Sequence, residues 1–296
     1  MRASLFLLFL LPYLAIGGTF ELSIENDLVA DSDKHYTHGT RLSYSYLLDN
    51  NSFSDKTVAR TWSLGQYIYT PSDISFETIQ FMDRPYNGWL YGASSIMVYD
   101  KKELDSLEIN LGLTGKWSLA DKTQIFIHKL IHSKEPRGWD TQLKERVGVN
   151  LTYIKKYKWK WDYADCIVKG NITAGTIHIN TGVGGLIRFG YNIPDDFGIT
   201  RMEPLSRSLS KLGFYGIIET SGRYIAFNQI LEGYRSDHVK EIYGIHAEDM
   251  VGDLDMGCGL SYGCFNLIYL YNIRSKEFKQ QKEHNEFGTV VISWNI

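Results

Sequence analysis

Apolar and polar residues alternate with a period of two through most of this chain. In residues 41 to 48, Leu42, Tyr44, Tyr46 and Leu48 share one face while Arg41, Ser43 and Ser45 share the other. The same pattern sets Val147, Val149, Leu151 and Tyr153 against Gly148, Asn150 and Thr152, and Val290, Ile292 and Trp294 against Thr289, Ser293 and Asn295. A regular apolar face opposite a small, polar face is the dyad of a membrane barrel with a polar lumen. The phase of the alternation also locates turns. Leu254 to Tyr262 keep their apolar residues at even positions and Phe265 to Tyr271 at odd ones, so the parity flips across Gly263-Cys264 and predicts a tight turn there.

Read this way, strands run over 19–27, 38–48, 58–69, 88–99, 104–116, 144–157, 160–176, 184–193, 211–226, 248–261, 265–275 and 285–296. The predicted fold is all-β, a transmembrane up-and-down antiparallel barrel of about twelve strands, an even number as single-chain bacterial barrels have. Connections at 49–55, 100–103 and 193–198 read as short, and those at 28–37, 70–87, 117–143 and 227–247 as long. Short turns of such barrels face the periplasm and long loops the outside. One stretch breaks the strand pattern: over 119–134 the apolar residues fall at helical spacing, which predicts a short helix in the third long loop.

Composition places this barrel in a compartment. Met1-Arg2 followed by the apolar run Leu5 to Ile16 and small residues at Gly17 and Gly18 reads as a cleaved signal peptide over 1–17, leaving 18–296 as one outer-membrane domain. Aromatics make up 14% of the chain, including 20 tyrosines, which suits the interfacial girdles of a barrel. A net charge of −3 argues against a nucleic-acid surface. Cys258 and Cys264 flank the predicted turn and could pair in an oxidising compartment, with Cys166 left over.

Polar motifs gather on the long-loop rim: Glu25-Asn26-Asp27, Tyr36-Thr37-His38-Gly39, Asp83-Arg84-Pro85-Tyr86-Asn87-Gly88-Trp89, and the stretch His128 to Glu145 with Gly138-Trp139-Asp140-Thr141-Gln142-Leu143. Together with Asp33, Gly65-Gln66, Tyr69-Thr70-Pro71 and His128-Lys129-Leu130-Ile131, their order and joint occurrence resemble the outer-membrane lipid A 3′-O-deacylase family, LpxR. The motifs match through the first half of the mature chain; the second half agrees in strand layout.

The resemblance implies a calcium-dependent ester hydrolase that removes the 3′-linked acyloxyacyl chain from lipid A of lipopolysaccharide in the outer leaflet, acting as a monomer between the barrel wall and the third-loop helix. It makes His128 the general base, Asp27 a Ca²⁺ ligand, Asn26 an orienting or oxyanion-side group and Thr37 a group that positions substrate or contributes to the oxyanion environment. First-loop carbonyls and Glu25 are candidates to complete the calcium shell. Tyr36, Asp83, Arg84, Gln142 and Glu145 are expected in support, with Asp83 and Arg84 paired to fix the second loop and Gln142 and Glu145 opening the strand after the helix. His132 is expected on the same helical face as His128 and ranks below it.

Two positions depart from the family pattern. Lys134 stands where a functional glutamate is expected, with Glu135 one residue further on, and Ser72 to Phe76 hold no counterpart of a family lysine. Two other classes fit a barrel: an outer-membrane phospholipase, which would need a nucleophilic serine that no motif supplies, and a noncatalytic porin or adhesin. A porin would need a wide charged lumen, whereas about twelve strands enclose a narrow one.

Overall fold

The computed structural model describes residues 17–27, 34–48, 56–198 and 211–296. Twelve antiparallel strands close into a barrel: β1 (Gly18–Asn26), β2 (His35–Leu47), β3 (Thr57–Thr70), β4 (Asn87–Tyr99), β5 (Glu103–Thr114), β6 (Val147–Lys160), β7 (Ala164–Gly175), β8 (His178–Tyr191), β9 (Gly213–Asn228), β10 (Met250–Tyr262), β11 (Phe265–Arg274) and β12 (Asn285–Asn295). Each strand pairs with its sequence neighbours, and β1 closes on β12 from Thr19↔Asn295 to Asn26↔Gly288. Closure leaves no edge, which is why a sheet can cross a bilayer at all. The predicted strands are recovered, and Gly263 (φ +59°) turns the β10–β11 hairpin beside the pair Tyr262↔Phe265. Cys166, Cys258 and Cys264 are all free thiols, so the suggested disulfide does not form.

Exposure follows the alternation. Leu42, Leu64, Leu107, Leu111, Val183 and Ile187 face outward and are exposed, while Glu21, Ser23, Arg41, Ser43, Ser45 and Thr61 face the lumen and are buried. The lumen is crossed by ion pairs that close the charges against one another: Arg41 of β2 reaches Glu108 of β5 at 2.6 Å, Lys169 of β7 pairs with Glu219 of β9, and Asp253 of β10 accepts from both Arg223 (2.5 Å) and Arg274 (2.8 Å). Burying these charges singly would cost several kcal/mol each, so the pairing is what makes a narrow polar interior tolerable.

Two connections differ from the sequence expectation. At the loop rim, β7 and β8 are joined by Thr176-Ile177 alone. At the opposite rim the link predicted as short, Ile193 to Gly198, is the start of a long connection between Tyr191 and Gly213, and it turns into the lumen. Phe197 packs there against Ala59, Met97, Tyr99 and Leu104 of β3 to β5. Arg188 secures the segment by donating to Asp196 (2.6 Å) and the Pro194 carbonyl (3.1 Å) while pairing with Asp165 (2.6 Å). This plug follows no alternation, because its side chains answer to the lumen rather than to a sheet. The predicted signal segment up to residue 16, the first-loop stretch 28–33 with Asp33, and the short link 49–55 lie outside the described residues.

The predicted loop helix is present as α1 (Ala120–Ile131). Its buried positions are Ala120, Gln124 and His128, one turn apart, whereas Phe126 and Leu130 are 67% and 68% exposed. A soluble helix buries its apolar stripe. Here the polar stripe faces the barrel and the apolar one faces away, as suits a helix lying at a membrane interface.

Candidate functional site on the outer wall

The site begins with strand register. Asn26 pairs with His38, His38 with Ile68, and Ile68 with Gly88, so these four residues form one horizontal row across β1 to β4 at the loop rim. They share the outward face with Ile24, Leu42 and Leu64, two or more residues below, which are exposed. Ile68 is fully buried, because loop 71–86 and α1 cover this end of the wall: Met82, Tyr86, Ala120 and Trp139 close over it. Gly88 is required by that contact. A Cβ there would lie 2.3 Å from both Ala120 Cβ and Ser118 Oγ, so any side chain would push the base of the helix off the wall. Below it, Gln66 of β3 donates to the Ser118 carbonyl at 2.7 Å.

Inside this cover, α1 presents polar atoms to the wall. Gln124 Oε1 accepts from Trp139 Nε1 at 2.8 Å, which locks the Gly-Trp-Asp turn to the helix. His128 is 4% exposed, and its Nδ1 is bonded to the Lys134 carbonyl. A carbonyl only accepts, so Nδ1 carries the proton and the base lone pair of the neutral ring lies on Nε2. His132 does not share this face. It ends the helix in the left-handed conformation (φ 56°) and is exposed, as are Lys134 and Glu135.

On the wall itself, a register shift between Tyr36 and His38 sends neighbouring side chains to different surroundings. Thr37 is buried and shares a 2.7 Å hydrogen bond with Thr70 Oγ1, and its carbonyl accepts from Asn26 Nδ2 at 3.3 Å. Tyr36 instead enters the lumen, where its hydroxyl donates to Glu25 and Arg274 lies 5.2 Å from its ring. Glu25 thus points to the lumen with Tyr36 and away from Asn26. Asp27 follows β1 directly, is buried, and accepts from the Lys34 amide at 2.9 Å.

The expected Asp83–Arg84 pair is absent, because the two side chains diverge. Asp83 binds His35 Nε2 at 2.8 Å and the Ser72 amide at 2.9 Å, whereas Arg84 is buried against Tyr69 with Glu277 Oε2 at 4.0 Å. Burial would raise the Asp83 pKa, but the hydrogen bond and charge of His35, with the Ser72 contacts, pull it down to about 2. Glu277 is likewise held below its ordinary value against its burial, by Arg274, Arg84 and Arg223. Gln142 Nε2 donates to the Trp139 carbonyl at 2.9 Å and braces that turn; β6 opens later, at Val147, so neither Gln142 nor the half-buried Glu145 begins the strand.

Among the described residues, no three His, Cys, Asp or Glu side chains come together to hold a metal. Calcium does not require three carboxylates, since backbone carbonyls and amide oxygens serve it equally. Asp27, buried at the end of β1, is a hard oxygen donor, and in that respect its chemistry fits the ion.

Fold and site together define an integral outer-membrane β-barrel with buried polar side chains between its outer wall and an interfacial helix. The chain belongs to the LpxR family: residues 3–296 match the family described as outer membrane protein LpxR. Membership places it among outer-membrane proteins that modify lipid A. LpxR from Salmonella typhimurium superposes with a TM-score of 0.76 at 15% identity, covering 93% of this chain and 99% of that one, and so shares its fold. The β domain of the Bordetella autotransporter BrkA gives a TM-score of 0.45 at 11% identity over 94% of this chain and 97% of that one. A search of curated proteins found no match.

Sequence reasoning gave no role to His38, Gln124 or His35. His38 stands within Tyr36-Thr37-His38-Gly39 without one, and Gln124 precedes His128 by one helical turn, a spacing that marks a shared face. Nothing in the sequence signals His35, whose partners come from distant segments.

Proposed function

We propose that this protein is a lipid A 3′-O-deacylase, hydrolysing the 3′-linked acyloxyacyl ester in the outer leaflet in a calcium-dependent reaction. The observation that carries the reading is the inverted helix α1, whose buried polar stripe sets His128 against the wall while its apolar stripe turns outward. The exposed apolar residues of α1, Phe126 and Leu130, then face the lipid in which an acylated substrate resides.

His128 Nε2 takes a proton from water as the oxygen attacks the ester carbonyl, and the Lys134 carbonyl holds the ring in the tautomer that can do so. The tetrahedral intermediate collapses by breaking the bond to the sugar oxygen, which recovers the proton from the imidazolium; the products are the free acid and the 3′-hydroxyl. Asn26 and Thr37 line the wall beside the reacting group, and the outward apolar residues of α1 meet the acyl chains. Asp27 would hold Ca²⁺, which when bound supplies positive charge to the developing oxyanion.

Mass spectrometry of lipid A from cells with and without the chain tests this. The expected result is loss of the 3′ acyloxyacyl mass only where the protein is expressed. An unchanged spectrum with ample calcium would reject the activity.

A further inference from the structure

His38, in the Tyr36-Thr37-His38-Gly39 motif, brings an imidazole into the wall row. His38 is 9% exposed, pairs in register with Asn26, and is bonded through both ring nitrogens: Nδ1 lies 3.4 Å from Asn26 Nδ2 and Nε2 lies 2.6 Å from Thr40 Oγ1. We propose that His38 is the positioning residue for Asn26, holding its amide in one orientation by acting as the Nε2–H tautomer.

The assignment follows from a chain of donors and acceptors that begins at the backbone. The Thr37 carbonyl can only accept, so the Asn26 atom 3.3 Å from it is the amide nitrogen. That nitrogen has two hydrogens. The second is directed at His38 Nδ1, which must then offer a lone pair, and the ring proton is left on Nε2. Thr40 Oγ1 can take that proton's hydrogen bond because a hydroxyl accepts as readily as it donates. Each link is consistent with the next, and the reversed amide would set oxygen against the oxygen of Thr37.

A consequence concerns what Asn26 can do. Both of its N–H groups are taken up by its own wall. It is not an N–H donor to the ester oxygen. His38 and His128 also carry opposite tautomers, fixed by Asn26 in one case and by the Lys134 carbonyl in the other. The His38 proton faces along the strand to Thr40, and so His38 serves the site through Asn26 rather than by proton transfer.

This inference rests on the hydrolytic reading of the wall for its kinetic arm and on geometry alone for its spectroscopic one. Nitrogen-15 NMR of the detergent-solubilised, histidine-labelled protein, with His38→Asn used for assignment, should show a neutral His38 ring protonated at Nε2 and bare at Nδ1. A Nδ1–H tautomer would overturn the proposal whether or not the protein hydrolyses lipid A. In mixed micelles of lipid A and detergent with Ca²⁺, His38→Leu should lower kcat about tenfold or more with KM within about twofold, as loss of alignment does. His38→Asn keeps an acceptor close to the Nδ1 position and should restore most of the rate. Wild-type kcat in the leucine variant, or equal loss in both folded variants, would overturn it. Failure of the wild-type chain to release any acyl group would instead count against the deacylase reading and leave the tautomer measurement to decide His38.

Discussion

His35 Nε2 lies 2.8 Å from Asp83 Oδ2, joining the first residue of β2 to the loop that covers the wall. The ring's other nitrogen lies 3.0 Å from Asn285 Oδ1 at the start of β12, so both nitrogens meet oxygen acceptors. Three segments distant in sequence are tied at one buried imidazole, held there in a left-handed backbone conformation (φ 63°).

That tie gives the covering loop a pH dependence of defined sign. The Asp83 pKa is depressed to about 2 in the folded protein, against an ordinary value near 3.9. Its stabilisation is therefore complete above roughly pH 4 and is lost as pH falls toward 2, with no loss on the alkaline side from this group. Asp83→Asn should remove on the order of 2 kcal/mol from loop docking. Hydrogen exchange is the measurement: residues 71 to 86 should lose protection while the strand amides keep theirs. Uniform loosening of the whole barrel would contradict the local role.

The two histidines at the end of α1 should behave differently. His128→Ala removes a buried imidazole aimed at the wall and should lower turnover by about a hundredfold or more, the usual scale for a positioned base. His132→Ala alters an exposed residue beyond the helix and should stay within about twofold of wild type. Initial rates of acyl release at fixed lipid A mole fraction compare them. Equal losses would mean that the base is another residue.

Calcium should matter through Asp27. Excess chelator should abolish acyl release, and Asp27→Ala should abolish it without unfolding the barrel, whose ladder owes nothing to the ion. Calcium should also raise the thermal stability of the wild-type protein and not of the variant. Full activity in chelator would reject the metal.

At the opposite rim, Arg188→Ala should release the plug. Asp165 and Asp196 would lose a shared partner inside the lumen, a change that costs about 3–5 kcal/mol for a buried pair. Planar-bilayer recordings should then show higher ion conductance than the wild-type barrel gives. A variant no more conductive than wild type would show that the inward turn of 193–198 is held by Phe197 and its neighbours instead.

The sequence was most legible where one rule governs a whole segment. Alternation located every strand and the hairpin at Gly263, because each outward residue faces the same solvent, the lipid. Legibility fell where a residue answers to something out of register. The plug at 193–198 reads as a short link because its lumenal contacts lie on β3 to β5. Asp83 and Arg84 look like a pair because adjacent opposite charges are easily imagined together, yet their backbone sends one to His35 and the other to Tyr69. Glu25 and Asn26 are neighbours in a motif and strangers in space, since consecutive strand residues point through opposite faces of the wall. The polar motifs fall on one rim, and the face to which each residue turns emerged only from the register.

The row from Asn26 to Gly88 faces outward, and this changes how encounter with a ligand is counted. A site in the lumen would sample solutes by volume, whereas the proposed lipid A site on this row would be reached sideways, by molecules drifting in the plane of the leaflet. Its occupancy therefore tracks the fraction of surface the ligand covers. Adding inert detergent or foreign lipid at constant molar substrate should slow the protein simply by spacing its targets apart.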